Sequence, residues 1–318
     1  MEPQSTEFDY QPLPQPSRIT DQEWPANIRP LLSIVCATYN HVDFIRDCIE
    51  GFLKQETTFP VEILIHDDAS TDGTADIVRD YQRKHPRLIK AVFQEENQYS
   101  RGVKVLRTFI RPLVQGKYIA SCEGDDYWVD PRKLEIQVSF LEEHPEYVAS
   151  GHDAMIVDEQ GQILQASKLP SAHKRDYTGP EIMKGKAWIL TMSRVKRASA
   201  SEDFVPESMH VLNGDTFSTA IMGRFGASKY HAEIQPAVYR KHRGGVWSEL
   251  SATDKQEAKA NTRYWLYCFF KRIGKKEIAR TWRIRWLVQT IKISPIFLLY
   301  REIILRLTGA RWIMRKVR

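Results

Sequence analysis

Lys117-Tyr118-Ile119-Ala120-Ser121-Cys122-Glu123-Gly124-Asp125-Asp126-Tyr127-Trp128 passes from an apolar run into three carboxylates within four positions. A strand interior does not hold isolated charges, because burying one unpaired costs on the order of several kcal/mol. A strand that ends in Glu-x-Asp-Asp instead presents hard oxygen ligands, which suit a divalent ion and a phosphate-bearing ligand with it. The plain alternative is an acidic turn after a core strand.

The same arrangement recurs upstream. Leu31–Ala37 reads as a strand ending in Thr38-Tyr39-Asn40, followed by a helix with Val42, Ile45, Ile49, Phe52 and Leu53 at helical spacing. Val61–His66 is a second strand, ending at Asp67-Asp68-Ala69-Ser70, and a helix spans about 75–84. Leu88–Phe93 is a third strand, 102–114 a helix, and Tyr118–Cys122 the fourth strand. Such alternation with short connections predicts an α/β fold, a mostly parallel central sheet with helices on both faces. Ligands bind beyond the carboxyl ends of the strands in such sheets. Three polar clusters fall there, and their recurrence argues against a mere acidic turn. There is no Gly-x-Gly-x-x-Gly and no Gly-x-x-x-x-Gly-Lys-Ser/Thr, which disfavours dinucleotide and P-loop chemistry.

Downstream, a helix is predicted from Pro131 to His144, a strand over Val148–Ile156, and a tight turn at 158–162. Residues 167–210 read as polar substrate-side loops. Asn213-Gly214-Asp215 precedes a helix over Thr216–Met222, and Ile234–Tyr239 leads into Arg240-Lys241-His242-Arg243-Gly244-Gly245-Val246-Trp247-Ser248.

The 318 residues provide for one large domain with appendages: a Pro- and Gln-rich leader over 1–29, a main α/β domain over 30–250 and a basic extension over 251–318. Net charge is +6, but residues 271–318 hold 14 lysines and arginines against two glutamates. The basic character therefore belongs to the tail. No signal peptide is visible at the acidic start, and the four cysteines show neither zinc-ligand spacing nor disulfide density. Reduced thiols and a cytoplasmic location, with association to the inner face of the membrane, are the expectation.

Ile34–Asn40, Glu62–Thr74 and Gly116–Trp128, three ordered motifs, resemble the family 2 glycosyltransferases. The match covers about residues 30–247. The Glu-Gly-Asp-Asp-Tyr-Trp form, with Asp130-Pro131-Arg132-Lys133-Leu134, is similar to that of bacterial members concerned with surface polysaccharide. The resemblance implies a GT-A fold and inverting sugar transfer from a nucleotide-sugar, most commonly a UDP-sugar, to a glycan or lipid-linked acceptor, with Mg²⁺ or Mn²⁺. It implies that Asp68 accepts a hydrogen bond from the base while Ala37 and Tyr39 lie against it, stacking being worth about 1–3 kcal/mol. Glu123-Gly124-Asp125 stands at the family's Asp-x-Asp position. Asp125 is then the principal metal ligand, and Glu123 reaches metal, a metal-bound water or ribose. Asp126 assists, and Gly124 leaves room for phosphates. Asp215 is the implied general base, and His242, with Arg240 and Arg243, meets the diphosphate.

Each role has a plainer counterpart. Asp68 or Asp215 can cap the following helix, Tyr39, Tyr127 and Trp128 can be core anchors, and the Arg240–Arg243 run can be a basic surface turn. Glu202, Asp203 and Glu207 are rivals for the base without motif support. The tail alternates cations with Trp282–Leu287, Ile296–Tyr300 and Trp312–Lys316, none long enough to span a bilayer. It fits an anionic membrane surface, with packing on protein as the alternative and nucleic-acid binding disfavoured. A nucleotidyltransferase, or a non-catalytic binding protein on a transferase scaffold, is the competing reading of the whole chain.

Overall fold

The structure, a computed structural model, describes residues 10–200, 205–245 and 250–294. The start of the leader, Glu202 and Asp203, Val246-Trp247-Ser248, and the tail segments Ile296–Tyr300 and Trp312–Lys316 lie outside the described residues. The chain divides into two units, Met1–Asp203 with Ile221–His242, and Phe204–Ala220 with Arg243–Arg318.

The first unit runs β1 (Ser17–Arg18), β2 (Leu32–Thr38), α1 (Ile45–Leu53), β3 (Glu56–Thr57), β4 (Val61–Asp67), α2 (Thr74–Lys84), β5 (Ile89–Phe93), β6 (Tyr118–Ser121) and α3 (Lys133–Glu143). It continues with β7 (Tyr147–Gly151), β8 (Ala154–Val157), β9 (Ile163–Gln165), α4 (Gly179–Met183) and β10 (Val195–Arg197). After α5 (Gly214–Met222) come β11 (Ala227–Tyr230) and β12 (Ala237–Arg240). A seven-stranded sheet has the order β11-β7-β10-β6-β2-β4-β5, with β10 antiparallel to both its neighbours and every other pairing parallel. A smaller sheet, β12-β8-β9, lies in the same unit, and β1 pairs with β3.

β2 and β4 are near-continuous apolar runs because strands central to a parallel sheet are covered on both faces. They pair from Leu32 with Val61 to Thr38 with Asp67, so their ends are level. α1 buries Ile45, Cys48, Ile49 and Phe52, and α3 buries Leu134, Val138 and Leu141, each set one helical stripe. All four cysteines are free, and Cys36, Cys48 and Cys122 are buried.

Three expectations need correction. The helix expected over 102–114 is a π-helical turn at Leu106–Ile110 followed by a 3₁₀ turn at Arg111–Leu113. Pro112 explains the break, since it lacks an N–H and its ring opposes the carbonyl four residues back. The single strand expected over Val148–Ile156 is two strands in different sheets. Asp153 marks the crossing: its carboxylate accepts from the Ala154 and Leu169 amides and the Ser167 hydroxyl, and pairs with Lys174 at 2.8 Å. The supposed loop 167–210 contains β10, an inner strand of the main sheet. Only three residues long, two of them Lys196 and Arg197, it carries too little periodicity to be read. Arg197 serves there as a clasp, donating to the carbonyls of Tyr147 and His144 and the hydroxyl of Tyr118.

In the second unit, α6 (Ala252–Arg272) and α7 (Lys276–Ile293) form an antiparallel hairpin turned at Gly274, whose φ of 74° favours glycine. Ser251 and Asp254 open α6 with a reciprocal capping box. Gln289 bonds both Arg263 and Gln256 across the hairpin. Trp282 is buried, and Trp286 stacks on Tyr267. Trp282 is an interior residue of the hairpin and Trp286 is half-buried, while Ile284, Leu287, Val288 and Ile291 are exposed.

Candidate functional site

The turns after β2 and β4 are laced together. Ser70 Oγ accepts from the Asn40 amide, Asn40 Oδ1 from Thr71, Thr74 Oγ1 from His41, and Asp72 Oδ2 from Val42, all at 2.8–2.9 Å. Asn40 and Ala69 adopt left-handed backbone (φ 53° and 63°), as the sharp reversals demand. Tyr39 is thereby held on the rim, 43% exposed, and is no core anchor.

Asp68 is buried, and its two oxygens accept from the Gln98 and Tyr99 amides at 2.9 Å each. It does not cap the helix that follows. Gly73 stands at the cap position, and Asp72 Oδ1 accepts from the amide of Thr74, the first helical residue. Each Asp68 oxygen keeps a second lone pair. Asp67 Oδ1 accepts from the Ser70 amide, and its Oδ2 is buried without a partner.

Beyond β6 the chain keeps pairing with β2: Cys122 donates to Val35 O and Gly124 to Ala37 O. This registers Gly124 against Thr38 so closely that a Cβ would lie 2.6 Å from Thr38 Oγ1. Only glycine fits. Ala37, predicted beside the base, has its carbonyl engaged by this pairing.

β12 returns to the same turn. Tyr127 and Val238 exchange backbone hydrogen bonds, and the Arg240 amide donates to Asp126 Oδ1 at 3.0 Å. Burial, and then the charges of Asp125 and Glu123, push the Asp126 carboxyl well above the usual carboxylate range. The Arg240 side chain is buried against Phe44 and Tyr127, pairs with Asp47 at 2.7 Å and donates to Asp125 O. Arg240 thus ties the turn together, contrary to the expectation that it faces diphosphate. Trp128 is a core anchor, wholly buried, bonded to Met192 O and packed on Phe52.

His242 follows β12, and its Nε2 meets Asp125 Oδ2 at 2.9 Å. His41 enters from the β2 turn with its ring edge-on to His242, centroids 5.7 Å apart. Burial alone would raise the Asp125 carboxyl, but the His242 hydrogen bond and the nearby His41 hold it below the usual range. Burial also lowers His41. Asp125 Oδ1 and His41 Nδ1 are both buried without a partner. Unsatisfied buried polar atoms are uncommon and call for an explanation such as an ion or ligand. Two overlapping sets of side chains offer ligand atoms close enough for one cation: Glu123, Asp125 and Asp126, and His41, Asp125 and His242. The residues present therefore fit a metal. His41 received no role in the sequence reading. Its signal was its place in the strand-end cluster after Tyr39-Asn40.

Asp215 and Arg243 belong to the second unit. Asn213 Oδ1 accepts from the Thr216 amide, so Asn213 caps α5, and Asp215 sits exposed in the first turn. The capping alternative for Asp215 is excluded. Thr262 and Asn261 of α6 accept from the Asn213 and Leu212 amides, and His210 stacks on Trp265. The basic extension thus holds the loop that carries Asp215, a task its composition did not reveal. Glu207, a rival base, is bound by Arg272 in a two-point pair, chiefly through which its carboxyl is held low.

Residues 33–193 match the family described as Glycosyl transferase family 2. An uncharacterised protein of Mycobacterium tuberculosis is 33% identical over 226 residues, 71% of this chain, which spans 63% of that protein's length. The Escherichia coli protein WfaP, named as a UDP-Glc:alpha-D-GlcNAc-diphosphoundecaprenol beta-1,3-glucosyltransferase, is 38% identical over 35% of this chain and 41% of its own. Among solved structures, Staphylococcus aureus TarS with UDP-GlcNAc covers 83% of this chain and 73% of its own at TM-score 0.58 and 19% identity. The mannosyltransferase PcManGT of Pyrobaculum calidifontis, with GDP-Man and Mn²⁺, covers 95% and 84% at TM-score 0.53 and 16% identity. These likenesses agree with the α/β sheet order in showing a GT-A fold. With its family match over half its length, the chain belongs to glycosyl transferase family 2.

Proposed function

We propose that the protein is a metal-dependent, inverting glycosyltransferase that moves a sugar from a UDP-sugar to a hydroxyl of a glycan or lipid-linked acceptor. The observation that carries this reading is Asp125, a partly buried carboxylate whose Oδ1 is buried without a partner, just past β6 and beside the ends of β2 and β4. The printed ligands of TarS and PcManGT, UDP-GlcNAc and GDP-Man with Mn²⁺, support donor and metal classes. The name of WfaP supports a UDP donor and a lipid-linked acceptor.

In this reading Asp68 uses a free lone pair for the uracil N–H, and exposed Tyr39 stacks on the base. Ala37 and Gly124 keep the floor small, and Glu123 reaches ribose or a metal-bound water. Asp125 is the main metal ligand, with Glu123 beside it. His242 and Arg243 act on the diphosphate side, and Asp126 holds the turn in shape. A bound Mg²⁺ or Mn²⁺ supplies charge that offsets the leaving diphosphate. Asp215 takes the proton of the acceptor hydroxyl as it attacks, since a hydroxyl is too weak an acid to ionise beforehand. A thermal-shift screen of UDP-, GDP- and dTDP-sugars with and without Mn²⁺ tests the donor claim. A Mn²⁺-dependent shift for a UDP-sugar is expected, and a shift for none of them would refute it.

No helix among the described residues is long and apolar enough to cross a membrane. The exposed stripe Ile284, Leu287, Val288 and Ile291, among the cations of α7, supports docking on the cytoplasmic face of an anionic bilayer. Sedimentation with anionic vesicles should lose the protein when the four residues become glutamine. Unchanged sedimentation would rule this surface out.

A further inference from the structure

We propose that His41 supplies a nitrogen ligand to the divalent cation, which is then held by a His-Asp-His set: His41 Nδ1, Asp125 and His242. The inference rests on the reading of Asp125 as a metal ligand and adds a residue from the turn after β2. Three observations carry it. His41 Nδ1 is buried with no hydrogen-bond partner, although its own backbone amide is satisfied by Thr74. Asp125, in the same cluster, has its own buried oxygen equally unpartnered. The ligand atoms of His41, Asp125 and His242 all lie within 4.8 Å of one another. Two atoms bound to one cation at about 2.1 Å lie about 3.0 Å apart when adjacent and about 4.2 Å apart when opposite. The 2.9 Å between His242 Nε2 and Asp125 Oδ2 already matches an adjacent pair, so closing the set takes only a small side-chain adjustment.

The all-carboxylate set is the weaker cage. Asp126 has one oxygen occupied by the Arg240 amide, and Glu123 lies exposed on the turn. The turn geometry holds His41 in place for the ligand role. Phe44 and His242 pack its ring, and a side chain at position 124 would meet His41 Nδ1 at 3.0 Å. Gly124 therefore leaves room for His41 as well as for phosphates.

Two imidazoles change which cation the site prefers. Mg²⁺ favours oxygen ligands and retains water, whereas Mn²⁺ and Co²⁺ accept imidazole more readily. The full chain should bind Mn²⁺ at least about tenfold more tightly than Mg²⁺, and His41→Phe should remove most of that margin. Phenylalanine keeps the ring packing, and a thermal melt confirms folding.

The direct readout is electron spin echo modulation of Mn²⁺ bound to the chain, alone and with UDP, which reports coupled imidazole nitrogens. Wild type should show two, and His41→Phe one. A single nitrogen in wild type, unchanged in His41→Phe, overturns the role of His41 while leaving Asp125 as a ligand. Where His41→Phe fails to fold, fewer than two coupled nitrogens in wild type still overturns the His-Asp-His set. Absence of Mn²⁺ binding under both conditions would overturn the metal reading itself.

Discussion

Asp125 and Asp215 are both carboxylates singled out for chemistry, yet their surroundings are opposite. Asp125 stands on the turn after β6, its Oδ2 2.9 Å from His242 Nε2 and its Oδ1 buried without a partner, with His41 in the same cluster. Asp215 stands exposed on the first turn of α5, and its order comes from backbone bonds made two and three residues upstream, to Thr262 and Asn261. The difference suits the two tasks. A ligand-holding group gains from burial that fixes its geometry and from cations that keep it ionised. A proton acceptor for an incoming hydroxyl must be reachable.

The sharpest way to break this comparison is to neutralise the exposed member. Asp215→Asn should lower turnover by about 10²–10⁴-fold with donor affinity unchanged, measured by steady-state transfer and donor titration. Thr262→Val, which removes the acceptor for the Asn213 amide, should produce a smaller fall in turnover of the same kind. Normal turnover in Asp215→Asn would remove the base from this position.

The smallest effect is expected beside Asp125. The Asp126 carboxyl titrates well above its unfolded value, so the native chain holds a proton there that the unfolded chain releases. That group therefore lowers stability as pH rises above the ordinary carboxylate range. Asp126→Asn keeps an oxygen for the Arg240 amide and carries no charge. It should leave donor binding near wild type and flatten the decline in stability from acidic to neutral pH, read from melts at pH 4–7. A loss of metal-dependent donor binding equal to that of an Asp125 variant would return Asp126 to the ligand set.

The same contrast explains what the sequence made legible. The first half of the sheet was readable because β2, β4 and β6 are covered on both faces and appear as apolar runs ending in polar clusters. β10 was not, because three residues, two of them Lys196 and Arg197, hold no periodic signal. The break at Asp153 was visible only as a charge inside an apolar stretch, and its partners Ser167 and Lys174 lie too far along the chain to be paired with it by eye. The carboxylates of the donor side stood out by clustering. His41 did not, since its interest depends on His242, two hundred residues away in sequence and adjacent in space. The role of α6 under the Asp215 loop was hidden for the same reason: Asn261 and Thr262 look like surface polar residues until the loop lies on them.

Calorimetric titration of UDP into wild type, Asp125→Asn and Asp215→Asn, with and without Mn²⁺, tests the central claim most directly. Binding strengthened by Mn²⁺ in wild type and Asp215→Asn, with that strengthening lost in Asp125→Asn, is the predicted result. Mn²⁺-dependent binding of equal strength in all three would contradict it.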